Sequence, residues 1–173
     1  IADRLRERYA GIVRGSSDFQ AEATRILGRM SIKAEPASLI ETALNRDLEP
    51  SVRVSAMELL ADNASQISDA KLETLLADSD LDIYAAAIAL GARARPDAVL
   101  ASIRDALNSP TGRRAQIAIQ GLATIDSEEA ETLIIGAFNR FLEGSLPPEI
   151  GLDVVSAARG SKDSATLKAV EAW

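Results

Sequence analysis

The chain has 173 residues, a formal net charge of −7, no cysteine and no histidine. These absences exclude disulfides, thiolate nucleophiles and Cys-ligated metals, and they remove the commonest general base, zinc ligand and proximal haem ligand. Apolar residues make up 47% of the chain but aromatics only 3%, so Ala, Leu, Ile and Val must build the core, and the acidic balance argues against nucleic acid as a partner.

Residues 3–14 open the chain as an amphipathic helix with Tyr9, Ile12 and Val13 on one face. The same i, i+3, i+4 triplet returns 31 residues later as Ile40, Ala43 and Leu44. It recurs after steps of 32, 31 and 31 as Leu72-Leu75-Leu76, Ile103-Ala106-Leu107 and Ile134-Ala137-Phe138, then after 33 as Leu167 and Val170. A fixed period of this length marks a helical-repeat architecture, and each triplet marks one B helix.

A second family of stripes lies between the triplets: Phe19-Ala23-Ile26, Val52-Ala56-Leu59, Ile83-Ala87-Leu90, Ala115-Ile119-Leu122 and Ile150-Val154-Ala157. Spacings of four and three trace one face of a 3.6-residue helix, here named A. The spacing predicts hairpins over 17–31 with 36–46, 50–63 with 68–77, 81–93 with 96–108, 111–124 with 127–142, and 147–159 with 163–172. Pro50, Pro110 and Pro147-Pro148 stand at A-helix starts, where a missing N–H is harmless. Ser16, Asp80 and Thr111 are candidate A-helix caps; Ser68, Asp126 or Ser127, and Ser161 are candidate B-helix caps, and Asp126 with Glu129 has capping-box spacing. No segment alternates with period two. The expected fold is all-α: a right-handed α-α superhelix of about five hairpins forming one domain over 1–173, with Tyr9 and Trp173 over its two ends. A start at Ile1 in mid-repeat carries the expectation of a piece from a longer protein.

The segment Ser51-Val52-Arg53-Val54-Ser55-Ala56-Met57-Glu58-Leu59-Leu60 resembles the VRxxAxxxL pattern of HEAT repeats, as does Asp82-Ile83-Tyr84-Ala85-Ala86-Ala87-Ile88-Ala89-Leu90-Gly91 with Arg95-Pro96-Asp97-Ala98-Val99 after it. The likeness to the short bacterial form spans residues 17–142 and implies an armadillo-like solenoid; the lack of a reactive residue set carries the expectation of no catalytic role. Residues 141–155, from Phe141 to Val155, are similar to the last repeat of large secreted bacterial proteins that join a sugar-dehydrogenase-like propeller, a HEAT segment and a c-type haem domain. That second resemblance implies a spacer between those domains and an extracytoplasmic location; without it the expectation is cytoplasmic.

Several clusters invite chemistry. Glu128, Glu129 and Glu131 open a helix, where carboxylates favour the positive end of the dipole. Asp78, Ser79, Asp80 and Asp82 lack the turn Gly and bidentate Glu of a calcium loop and read as a turn and cap. Arg113-Arg114 and the Arg-rich first 33 residues read as solvated faces. Glu41, Glu73 and Arg104 form a charged column on the B helices, and Asn45, Asn108 and Asn139 a second column near their ends, interrupted by Ala77. Asn at a helix end serves as a C-cap, whereas Asn ladders in related repeats hold extended peptides. These six residues are the candidate protein-binding surface. The expected partner is another protein or a neighbouring domain. Neither a cofactor nor membrane insertion is expected, and the segment alone is expected to be monomeric.

Overall fold

The computed structural model describes residues 35–108 and 112–173. Among them are nine α-helices, two 3₁₀ turns and no strand. The helices are α1 (Pro36–Leu44), α2 (Pro50–Leu60), α3 (Asp69–Leu76), α4 (Leu81–Ala94), α5 (Pro96–Asn108), α6 (Gly112–Leu122), α7 (Glu128–Leu142), α8 (Gly151–Ala158) and α9 (Ser164–Ala172). The 3₁₀ turns, Ala61–Gln66 and Pro148–Ile150, follow α2 and precede α8. The expected helices over 3–14 and 17–31, the caps Ser16 and Thr111, and the end residue Tyr9 lie outside the described residues.

The chain divides into two compact units, Ile1–Leu90 and Gly91–Trp173. In the first, α1 packs against α2 and, through its other flank, against α3. In the second, consecutive helices pack in turn, and B helix α5 also meets B helix α7 while A helix α6 meets A helix α8. Like helices thus pair with like across one intervening helix, as a period of thirty-odd residues requires.

The apolar columns are the core. Ile40, Ala43, Leu72, Leu75, Leu76, Ile103, Ala106, Ile134, Ala137 and Phe138 are all buried on the B side. Val52, Ala56, Ile83, Ala87, Leu90, Ala115, Ile119, Leu122, Ile150, Val154 and Ala157 are buried on the A side. Each fully buried Leu or Ile contributes roughly 1.5–3 kcal/mol relative to exposure, so long aliphatic columns replace the missing aromatics as the source of stability. In α2 it is Leu60 rather than Leu59 that is fully enclosed. That helix also stops three residues sooner than its stripe predicts, tightening into a 3₁₀ turn with Asn63 at φ −122°, ψ 26°.

Helix ends follow their local chemistry. Pro36 and Pro50 begin α1 and α2. The Asp80 carboxylate accepts the Asp82 and Ile83 N–H groups at 2.9 and 3.1 Å and caps α4 as expected. At α7 the cap is Ser127, which accepts from the Ala130 N–H at 3.1 Å. The Asp126/Glu129 capping box does not form, because Glu129 turns to Arg104 and Asp126 to Lys162. Asp163, not Ser161, caps α9 by accepting the Thr166 N–H at 2.7 Å. Ser68 stands at the start of α3 without a side-chain cap bond. Helix α7 ends in a Schellman motif: Ser145 N–H reaches Arg140 C=O at 2.9 Å, Gly144 N–H reaches Phe141 C=O at 3.0 Å, and Gly144 takes φ +70°.

Candidate functional site

Glu41 on α1 and Glu73 on α3 are exposed, on two B helices that pack together. Asn45 is the C-cap of α1, and its Oδ1 accepts the Asp47 N–H at 3.0 Å, closing a local turn. Arg104 on α5 pairs with Glu129 at the start of α7, with both side chains half exposed. About one turn further along α5, Arg140 near the end of α7 donates to the Leu107 carbonyl at 3.4 Å and the Asn108 Oδ1 at 3.5 Å. The C-terminal part of α5 is therefore linked to both ends of α7, and Arg104, Asn108 and Asn139 are all exposed on these two helices.

The asparagines form no uniform ladder. Asn45 and Asn108 end their helices, but α7 runs past Asn139 to Leu142, so Asn139 stands a turn inside the helix. The C-cap reading is corrected at this position: Glu143 is the cap, and Asn139 supplies only its carbonyl to the Glu143 N–H at 3.0 Å. Of the arginine pair, Arg113 is exposed and Arg114 half-buried.

The most enclosed charge among the described residues is the Arg of the VRxxAxxxL-like segment, which is not among the candidate site residues. Arg53, 5% exposed, extends from α2 to donate through Nε to the Ala43 carbonyl at 2.8 Å and through Nη2 to Asp78 Oδ2 at 2.7 Å. Asp78 Oδ1 also accepts the Asp80 N–H at 3.0 Å. Burial raises the Asp78 pKa. The Arg53 hydrogen bond, the Asp80 amide and the charges of Arg53 and Arg46 more than offset this, leaving it below the usual aspartate value. This contact ties the end of α1, the body of α2 and the α3–α4 turn. Its sequence signal was a charge directly beside the buried Val52.

A second cluster lies in the Gly91–Trp173 unit. Gln116 Nε2 donates to the Glu149 carbonyl at 2.8 Å and Gln120 Nε2 to Asp153 Oδ1 at 2.9 Å, bridging α6 to the α8 segment. Past these rungs opens a groove of about 760 Å³, with Ile125, Ile134 and Ala157 among its apolar lining and Asp126, Glu128 and Glu131 along it. Glu131 accepts the Ser161 hydroxyl, and also the Lys162 N–H at 3.0 Å. Lys162 reaches Asp126 at 2.6 Å, which lowers the aspartate pKa and raises that of the lysine. Asp163 beside them is lowered by the Thr166 amide and hydroxyl it accepts.

Among the described residues no group of three His, Cys, Asp or Glu side chains is placed to hold a metal ion. No helix among them is long and apolar enough to cross a membrane. The charged groups with displaced pKa values are all engaged with a helix end or an ion pair, and the acids move toward their charged form. No family model, curated protein or solved structure matches the chain.

Proposed function

We propose that this chain is a segment of a HEAT-like, right-handed α-α solenoid and acts as a non-catalytic scaffold, offering its B-helix face to another protein or to a neighbouring domain. One observation carries the reading: within each unit B helices pair with B helices through buried aliphatic columns, while Glu41, Glu73 and Asn139 stay exposed and Arg104 half exposed on those same helices. Repeats that contact only their neighbours build such faces, and function in helical repeats resides on them. The polar links between α5 and α7 fix the spacing of the exposed groups without consuming the whole face.

The test is site-specific photo-crosslinking in the native cell, with the probe placed at Glu41, Glu73 or Arg104 and, as the comparison, at the A-helix positions Glu58 and Ala89. The expected result is one discrete adduct from the B-helix positions and none from the A-helix positions. Equal labelling from both faces, or none from either, rejects the scaffold and leaves a mechanical spacer. Small-angle scattering tests the architecture separately. A radius of gyration well above the roughly 16 Å of a compact domain of this length supports a solenoid, and a value at that level rejects it.

A further inference from the structure

The A helices are alike except at one junction. Counting five positions beyond the first residue of each stripe gives Met57, Ile88, Gln120 and Val155, and eight positions gives Leu60, Gly91, Ala123 and Ala158. In α2, α4 and α8 both positions are buried, whereas in α6 both Gln120 and Ala123 are exposed. The A-stripe spacing is also longest at the same place: 33, 31 and 32 residues separate the earlier stripes, and 35 separate Ala115 from Ile150. The extra residues fall in the last turn of α7 and in the Gly144–Pro148 connection. At this junction α6 and α8 are held by the Gln116 and Gln120 rungs, and toward their C-terminal ends they leave the groove open.

We propose that this groove binds a short segment of another polypeptide carrying a Lys or Arg beside an aliphatic residue. Its volume lies within the range of about 300–1,000 Å³ typical of built ligand sites. Ile125, Ile134 and Ala157, each only 7–8% exposed, form the floor of the groove and leave a narrow apolar strip for an aliphatic side chain. Asp126, Glu128 and Glu131 place three carboxylates along the groove against the single ammonium of Lys162, more negative charge than the start of α7 offsets with its roughly half-unit dipole. Lys162 and Asp126 are both highly exposed, at 76% and 87%, so their pair exchanges readily with an incoming cation. An anionic segment meets repulsion instead. The proposal uses residues other than the B-helix column, and either can fail while the other stands.

Methyl-resolved NMR of the full chain provides the test, with two synthetic hexapeptides as probes: alternating Ala-Leu-Lys repeats and the same peptide with Glu for Lys. The lysine peptide is expected to give saturable shifts centred on Ile125, Ile134 and Ala157, and the glutamate peptide none. The double variant Glu128→Gln with Glu131→Gln is expected to weaken binding about tenfold, and added salt to weaken it further. Ala123→Trp, which fills one wall, is expected to abolish it; circular dichroism checks its fold, and the double variant carries the test if it unfolds. No shifts up to about 1 mM lysine peptide, shifts spread evenly over the acidic surface, equal binding of both peptides, or an unaffected double variant each overturn the proposal.

Discussion

Arg53 shows how much a single enclosed side chain can decide. Its guanidinium holds two elements at once, and Asp78 balances its charge at 2.7 Å. Removing Asp78 leaves the buried Arg53 guanidinium without its counter-charge, so Asp78→Ala is expected to lower stability by about 3–5 kcal/mol, read from urea midpoints. Replacing both partners with apolar residues should recover much of that loss, which a double-mutant cycle measures. The pH dependence has a fixed sign. The folded carboxyl lies below its unfolded value of 3.8, so the folded chain binds this proton more weakly and the contribution is fully present above that value. It fades as the pH falls through the lower, folded value, and the difference in midpoint between the parent chain and Asp78→Asn should shrink over that range alone. Gly151 is a second deciding residue. A Cβ there would stand 2.6 Å from Cε2 of Phe141, whose ring meets Trp173 edge-on at 5.5 Å. Gly151→Ala should lose about 1–3 kcal/mol through overpacking, with recovery when Phe141 is shortened to Leu.

At the level of helices, spacing alone located most of the described elements, because each stripe must face the core at 3.6 residues per turn. What spacing cannot supply is the destination of a polar side chain. Arg53 meets Asp78 25 residues away, and Glu131 meets Ser161 30 residues away, with no local motif to announce either. The cap of α7 shows the same limit: Asp126 and Ser127 are equally good caps by type, and Lys162 drawing Asp126 aside leaves the role to Ser127. Among the candidate binding residues, Glu41, Glu73 and Arg104 lie exposed on their helices, whereas Asn139 is not a C-cap, because α7 runs on to Leu142 and Glu143 takes that place. The groove was invisible for a related reason, since a longer connection does not say which helices it separates. The caps give a direct check. Ser127→Ala should cost about 1 kcal/mol, while Ser68→Ala, which breaks no side-chain cap bond, should stay within a few tenths; thermal melts of the two variants compare them.

At the largest scale, the Gly91–Trp173 unit pairs α5 with α7 and α6 with α8, so its last hairpin is a neighbour that can be removed without separating the helices before it. Cutting the chain after Leu146 removes α8 and α9 and uncovers α6 and α7, yet leaves α5, α6 and α7 with their mutual contacts. The shortened chain should keep its remaining helicity and still unfold cooperatively, with a smaller denaturant slope in rough proportion to the surface lost. Circular dichroism in urea reads both; collapse of all helicity would show that the last hairpin holds the rest.

The Schellman turn at Gly144 and Ser145 has a practical corollary. It seals α7 with its own backbone before the chain travels on, so the helix does not depend on what comes after it. A foreign sequence spliced in just beyond Ser145, such as an affinity epitope or a sensor module, would enter the connection between α7 and α8, with Ser145 facing water and the buried Leu146 to re-anchor the chain on its far side.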